Sequence, residues 1–176
     1  MGKDSVLERL SQTMDSAHFV VTATTRSPRS QESDGVDYHF VTSERFSRMV
    51  ENSELLEWAE VYGNRYGVPR CQVEEALESG RDVVVRVDIQ GAMTIKRAMP
   101  QAVSIFLVAP SMEELERRLR TRGTESAGDI ERRINTARDE MKAQDSFDYV
   151  VVNDTVNDAA DRIMAIVKAE KGRADN

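Results

Sequence analysis

Hydrophobic positions along the chain switch between helical and extended spacing several times. Val6, Leu7, Leu10 and Met14 recur at helical intervals and predict an amphipathic first helix. Residues 19–21 form a short apolar run expected to be a buried strand, and residues 38–41 form another. A helix is predicted from near Ser43, with Phe46, Met49 and Val50 turned inward. Residues 54–62 alternate as an antiparallel strand does, with Gly63-Asn64 as the hairpin turn. Pro69 at a first helical position and Gly80 just past the end bracket the next helix. Residues 83–87 are a nearly continuous β-branched run, as in a strand buried on both faces, and residues 103–108 repeat it. Ser111-Met-Glu-Glu reads as a capping box opening a helix with Met112, Leu115 and Leu119 on one side. Ile130, Ile134, Ala137 and Met141 make a further helical stripe, and residues 149–152 a third buried strand. A last helix spans about residues 157–169 with Ala160, Ile163, Met164 and Val167 packed, and residues 172–176 are expected to fray. Strands alternating with helices predict an α/β chain with a parallel sheet, and residues 37–67 a small mixed lobe.

Composition narrows the functional classes. A chain of 176 residues suits one domain, and 40% hydrophobic with 31% charged residues is enough to build a core. The formal charge is 24 − 31 = −7 without a long basic run, which argues against nucleic-acid polymers and anionic membranes as main partners. A small phosphate ligand needs only a local basic pocket and stays open. No apolar stretch approaches the roughly 20 residues of a membrane span, and no signal peptide is visible. The single cysteine, Cys71, precludes an internal disulfide and fits a reducing cytoplasm, where it reads as a bystander.

The chemistry concentrates between Thr22 and Tyr38, where an apolar strand breaks into polar residues with Arg26 and Arg29 flanking Pro28. Proline fixes its own φ and pushes Ser27 to extended geometry. Two guanidinium forks on a stiff strand exit can clamp a phosphate dianion; the other reading is a loop whose arginines are merely solvated. Asp34-Gly35 supplies a turn that returns Tyr38 as a further donor. Gly2-Lys3 before a helix matches the tail of a phosphate-binding loop, Gly-x-x-x-x-Gly-Lys-Ser/Thr, but is too short to carry weight alone.

Thr24-Thr-Arg-Ser-Pro-Arg followed by Gly35-Val-Asp-Tyr-His-Phe resembles the nucleoside-monophosphate-binding region of guanylate kinases. Glu57-Trp-Ala-Glu, Gly63-Asn-Arg-Tyr-Gly, Val87-Asp-Ile-Gln-Gly, Arg122-Gly-Thr-Glu and Val152-Asn-Asp extend the likeness, in order, over nearly the whole chain. The resemblance implies a P-loop-containing, nucleoside-monophosphate-kinase-like parallel sheet flanked by helices. It divides the single domain 1–176 into a core (1–24 and 69–176), a GMP-binding lobe (25–68) and a helical lid (120–142). The implied activity is ATP-dependent phosphorylation of GMP and dGMP with Mg²⁺, in purine nucleotide metabolism in the cytoplasm.

Residue by residue, Arg26, Arg29, Tyr38 and Tyr66 match positions that hold the acceptor phosphate. Glu57 matches the guanine reader: a carboxylate accepts from N1–H and the exocyclic amine together, and adenine has no such donor pair. Thr22 matches a hydroxyl position near the base oxygen. Asp88, at the carboxyl end of a strand, matches a residue near guanine and, through water, the magnesium shell. Lys3, Arg29, Asp88, Arg122 and Arg133 are the implied catalytic set, the last two arginines coming from the lid. Gly2, Lys3, Ser5 and Asn153 are implied for ATP. His18 and His39 are expected to be structural.

Two positions depart from the family pattern. Asp4 stands where many phosphate-binding loops carry Ser or Thr, although Ser5 follows. Val68 replaces a common Ser or Thr, which is expected to cost one base contact and weaken guanine affinity without changing base choice. The family's first, central strand and glycine-rich turn also have no counterpart before Met1. The expectation is therefore that the chain starts late, inside the loop of a longer natural protein, and binds GMP but phosphorylates it poorly. Exposed strand edges would then favour homo-oligomers. The alternative is a non-catalytic guanylate-kinase-like nucleotide- or peptide-binding module. A related sugar-phosphate kinase is disfavoured because Glu57 would have no base to read.

Overall fold

The computed structural model describes residues 2–121 and 127–174. In chain order the elements are α1 (Lys3–Ser11), β1 (His18–Phe19), β2 (Ala23–Thr24), β3 (His39–Phe40), α2 (Ser43–Glu51), β4 (Leu55–Val61), β5 (Asn64–Pro69) and α3 (Arg70–Glu78). There follow β6 (Val83–Val84), α4 (Ile89–Ala98), β7 (Ile105–Val108), α5 (Met112–Thr121), α6 (Ala127–Glu140), a 3-10 helix (Met141–Ser146), β8 (Tyr149–Val152) and α7 (Val156–Ala174). They form two compact units, one from Asp15–Ala102 and one from the chain up to Met14 with that from Val103 onward. Among the described residues, no helix is long and apolar enough to cross a membrane.

In the Asp15–Ala102 unit a four-stranded sheet runs β3-β2-β5-β4, with β2 parallel to β3 and antiparallel to β5. Phe46 and Met49 of α2 bury against Ala23 and Leu55 on one face. Thr42 caps that helix by accepting from the Arg45 N–H, the arrangement that satisfies an orphan amide of the first turn. Gly67 makes the contact possible, since a Cβ there would lie 2.7 Å from Leu55 Cδ1 and 3.1 Å from Phe46 Cζ. The β4–β5 hairpin turns at Tyr62 and Gly63, one residue earlier than predicted. Both have positive φ (52° and 75°), and Val61 pairs with Asn64. A two-residue turn of this kind needs φ > 0 at both central positions.

Elsewhere in this unit the helices follow the sequence, while the runs at 19–21 and 38–41 yield only His18–Phe19 and His39–Phe40, both half-buried. Pro69 is the N-cap of α3, one position before the predicted one, and Gly80 ends it with φ 69°. The Val83–Val87 run yields less strand than expected. Only Val83 and Val84 form a ladder, because β1 offers just His18 and Phe19 in register, and both valines are half-buried.

The second unit pairs β7 with β8 in parallel along four residues, and α1 packs on α7. Val6 and Leu10 of α1 are buried as predicted, and α5 and α6 share a core of Leu115, Leu119, Ile130 and Ala137. The capping box on α5 is half formed. Ser111 Oγ accepts from the Glu114 N–H at 3.2 Å, while the Glu114 carboxylate is taken by Arg117 and Arg118. The last helix does not fray from 172 but runs to Ala174. Glu170 holds that end, accepting from Tyr149 Oη at 2.5 Å and pairing with Arg173.

Candidate nucleotide-binding site

The site in the Asp15–Ala102 unit is built on the sheet face opposite α2. Paired residues share a face, and Tyr66 pairs with both Thr24 and Ala59, while Thr24 pairs with Phe40. Glu57 reaches this face through an irregularity of β4. The register shifts between Leu55 and Glu57, so Leu55 joins the α2 core while Glu57, two residues on, lies opposite Val68 on the other side. Strict alternation would have put both on one face. Such a shift re-aims a side chain beside a site, and nothing in the spelling Glu54-Leu-Leu-Glu-Trp announces it.

Glu57 is 6% exposed and its Oε2 has no hydrogen-bond partner. Burial, with the nearby Asp88 carboxylate, pushes its pKa up to about 7. Thr22, also buried, leaves its Oγ1 without a partner. Asp88 is the N-cap of α4 and accepts from the Gly91 N–H at 2.8 Å. Gly91 brings that helix against the carboxylate: a Cβ there would sit 2.7 Å from Glu57 Oε2 and 2.9 Å from Glu57 Cδ. Val68, the departure from the family pattern, is fully buried opposite Glu57 and offers no hydroxyl. Buried polar atoms without partners are costly, and these two belong to Glu57 and Thr22, the residues that the resemblance matches to base contacts.

The arginine segment is neither idle nor empty. Thr24 Oγ1, fully buried, donates to the Arg65 carbonyl and accepts from the Arg26 N–H, which anchors the strand exit. Arg26 Nη2 then meets Glu32 Oε1 at 2.8 Å, and Glu32 Oε2 accepts from the Arg29 N–H at 2.8 Å. The Arg26 guanidinium holds the Glu32 carboxyl below its usual range. Arg29 itself reaches outward, its side chain 59% exposed, with Nη1 3.8 Å from Glu32.

Tyr38 is presented by a loop locked from inside: Asp34 Oδ1 accepts from the Phe40 N–H and Asp37 Oδ2 from the Ser33 N–H. Its ring lies 6.0 Å from Tyr66, edge to face, and 5.3 Å from the Arg26 guanidinium. The Tyr66 side chain lies close enough to help raise the Arg26 pKa, after the larger effect of Glu32. Thus Arg26, Tyr38 and Tyr66 meet, with Arg29 at the margin. Glu32, Gly91 and the Arg86 guanidinium, 4.5 Å from the Tyr38 ring, were missed in sequence. The available signals were a glutamate three residues after Arg29 and the glycine that closes the Val87-Asp-Ile-Gln-Gly motif. His18 and His39 both lie 3.3 Å from the Gln72 side chain, which also accepts from the Val21 N–H and donates to its carbonyl.

In the other unit Gly2, with φ 74°, is the N-cap of α1, and Lys3 and Ser5 fall in its first turn. A Cβ on Gly2 would lie 3.0 Å from Asn153 Nδ2, so these two come together. Asn153 is 2% exposed. Arg118, another residue the sequence did not single out, donates to the carbonyls of Asn153 and Asp154, both at 3.0 Å. Arg133 is half-buried on α6. Arg122 lies outside the described residues.

The guanylate kinase family model matches residues 1–170. A guanylate kinase of Desulfitobacterium hafniense is 45% identical over 172 residues, covering 98% of this chain and 86% of that one. One from Rhodococcus jostii is 46% identical over 169 residues, covering 95% and 82%. The crystal structure of guanylate kinase from Anaplasma phagocytophilum superposes with a TM-score of 0.81 at 38% identity, covering 95% of this chain and 81% of that one. The α/β architecture, the ordered motifs and these likenesses agree: the chain belongs to the guanylate kinase family of phosphotransferases.

Proposed function

We propose that this chain transfers the γ-phosphate of ATP to GMP, with the acceptor read by the Asp15–Ala102 unit. The observation that carries this reading is Glu57, a buried carboxylate with an unpartnered Oε2. Guanine N1–H and its exocyclic amine supply two donors to such a group, whereas adenine would leave it unsatisfied. Thr22 Oγ1 addresses the base oxygen from the same face. Arg26, Arg29, Tyr38 and Tyr66 grip the phosphate, two charged forks and two neutral hydroxyls on one dianion. None of these contacts addresses the ribose 2′-hydroxyl, so dGMP is an acceptor as well.

Phosphoryl transfer requires positioning and charge neutralisation more than covalent catalysis. Gly2, Lys3, Ser5 and Asn153 hold ATP in this reading, the α1 N-terminus offering amides to phosphate. Lys3, Arg29, Arg122 and Arg133 neutralise the transferring group, with 120–142 as lid, 25–68 as GMP-binding lobe and the remainder as core. Among the described residues no three carboxylate, histidine or cysteine side chains converge on one point. Mg²⁺ keeps several waters and relies on one or two carboxylates plus substrate phosphates, and Asp88, one oxygen engaged by Gly91, fits a water-bridged partner. When bound, the ion neutralises phosphate charge. The exposed free thiol of Cys71 fits a reducing cytoplasm, and the product GDP belongs to purine nucleotide metabolism. Copies associating through strand edges belong to the same reading, since β1–β6 and β7–β8 are each two-stranded ladders.

A coupled assay with MgATP, comparing GMP, dGMP and AMP as acceptors, tests this function. Turnover of GMP and dGMP but not AMP supports it. Saturable GMP binding without turnover fits either a chain impaired at its ATP site or the non-catalytic binding module, which MgATP titration separates, and equal turnover of AMP removes Glu57 as base reader.

A further inference from the structure

The run of β-branched residues at 83–87 is interrupted by one charged side chain, Arg86. Two residues before Asp88, it leaves the strand exit and reaches the loop that carries Tyr38. Its guanidinium carbon lies 4.5 Å from the Tyr38 ring centroid, and its Nη2 donates to the Asp37 carbonyl at 3.4 Å. Arg26 approaches the same ring at 5.3 Å. One tyrosine therefore takes two guanidiniums from segments some sixty residues apart in sequence, both within cation–π range of its ring. The ring can support both because its face is electron-rich, and Glu32 pairs with Arg26 and Arg29 beside it.

We propose that Arg86 is a positioning residue of the acceptor-phosphate clamp: it fixes the Tyr38 ring and adds a further positive charge beside the bound phosphate. The proposal rests on the reading of Arg26 and Tyr38 as phosphate ligands. It joins the Asp88 segment to the Tyr38 loop, so one side chain couples the segment carrying Asp88 to the phosphate grip. A residue acting this way affects ligands that carry the phosphate and spares those that lack it.

Calorimetric titration of the full chain with GMP and with guanosine separates the possibilities. For Arg86→Met, GMP binding weakens about three- to tenfold, the range of an aromatic–cation contact plus one partly screened charge, and guanosine binding is retained. Arg86→Lys regains most of the loss, while Arg86→Gln, which keeps a donor for the Asp37 carbonyl, does not. Guanosine binding by each variant also certifies its fold. Unchanged GMP affinity in both Met and Gln variants, or equal losses of GMP and guanosine, overturns the proposal. Arg26→Met is run alongside: if it too spares GMP binding, the phosphate-clamp reading itself falls, whereas a loss in Arg26→Met alone removes only Arg86.

Discussion

The two halves of the candidate acceptor site sit on one sheet face but differ in what they have already satisfied. The proposed phosphate grip is internally complete: Arg26 is paired with Glu32, Glu32 is held by the Arg29 N–H, and the rings of Tyr38 and Tyr66 lie against each other. The proposed base pocket is incomplete, with Glu57 Oε2 and Thr22 Oγ1 buried and unpartnered. A phosphate entering the grip exchanges one anion for another, so its net gain is modest. A guanine entering the pocket supplies donors to the Glu57 carboxylate and an acceptor to the Thr22 hydroxyl, so its contribution is large and selective. Discrimination among nucleotides is therefore expected to reside in the base pocket, and tuning of affinity in the grip.

The strongest way to break this contrast is Glu57→Ala. Losing two hydrogen bonds to a charged acceptor weakens GMP binding about 100-fold or more, and titration calorimetry reads it; a loss within threefold would place the specificity elsewhere. Next is Gly91→Ala, which drives a methyl into Glu57. It weakens GMP binding about tenfold and destabilises the fold by about 1–3 kcal/mol, as overpacking does, measured by the same titration and by urea unfolding.

Acidity sharpens the comparison further. Because guanine needs the carboxylate form, guanosine affinity falls about tenfold per pH unit once the pH drops below the Glu57 pKa, near 7. Guanosine is the ligand of choice, since the second ionisation of a phosphate monoester near pH 6 would confuse the profile with GMP. Stability runs the opposite way. Between about 4.5 and 7 the folded chain keeps a proton that the unfolded chain has lost, so unfolding free energy falls as pH rises through that window and is flat with respect to this group above it. Glu57→Gln removes that slope. The smallest effect belongs to Glu32→Gln. Its hydrogen-bonding shape persists while its charge goes, and a partly solvent-screened counter-ion is worth little, so GMP binds about threefold tighter; weaker binding would mean that Glu32 serves the phosphate rather than competing with it.

Much of this was legible in the sequence. The helical stripes of Phe46 and Met49 and of Ile130 and Ala137 found their cores, and residues 149–152 formed β8, although Val151 alone is buried and Val150 is exposed rather than covered on both faces. Arg26, Tyr38, Tyr66, Glu57 and Thr22 gathered in one unit because the motif order follows a hairpin and its neighbouring strands. What escaped depends on register and partner choice rather than on residue type. The shift that turns Glu57 away from Leu55 is a property of strand pairing, and the shortness of β6 follows from the brevity of β1. The contacts of Glu32, Arg86 and Arg118 were invisible because a charged side chain on a loop or helix reads as solvated until its partner is seen.

The central claim is that a buried carboxylate at Glu57 selects guanine. Titrating the chain with GMP and AMP at about pH 8, where Glu57 is ionised, tests it most directly. The account predicts saturable GMP binding with AMP about 100-fold weaker or undetectable; equal affinities for the two would contradict it.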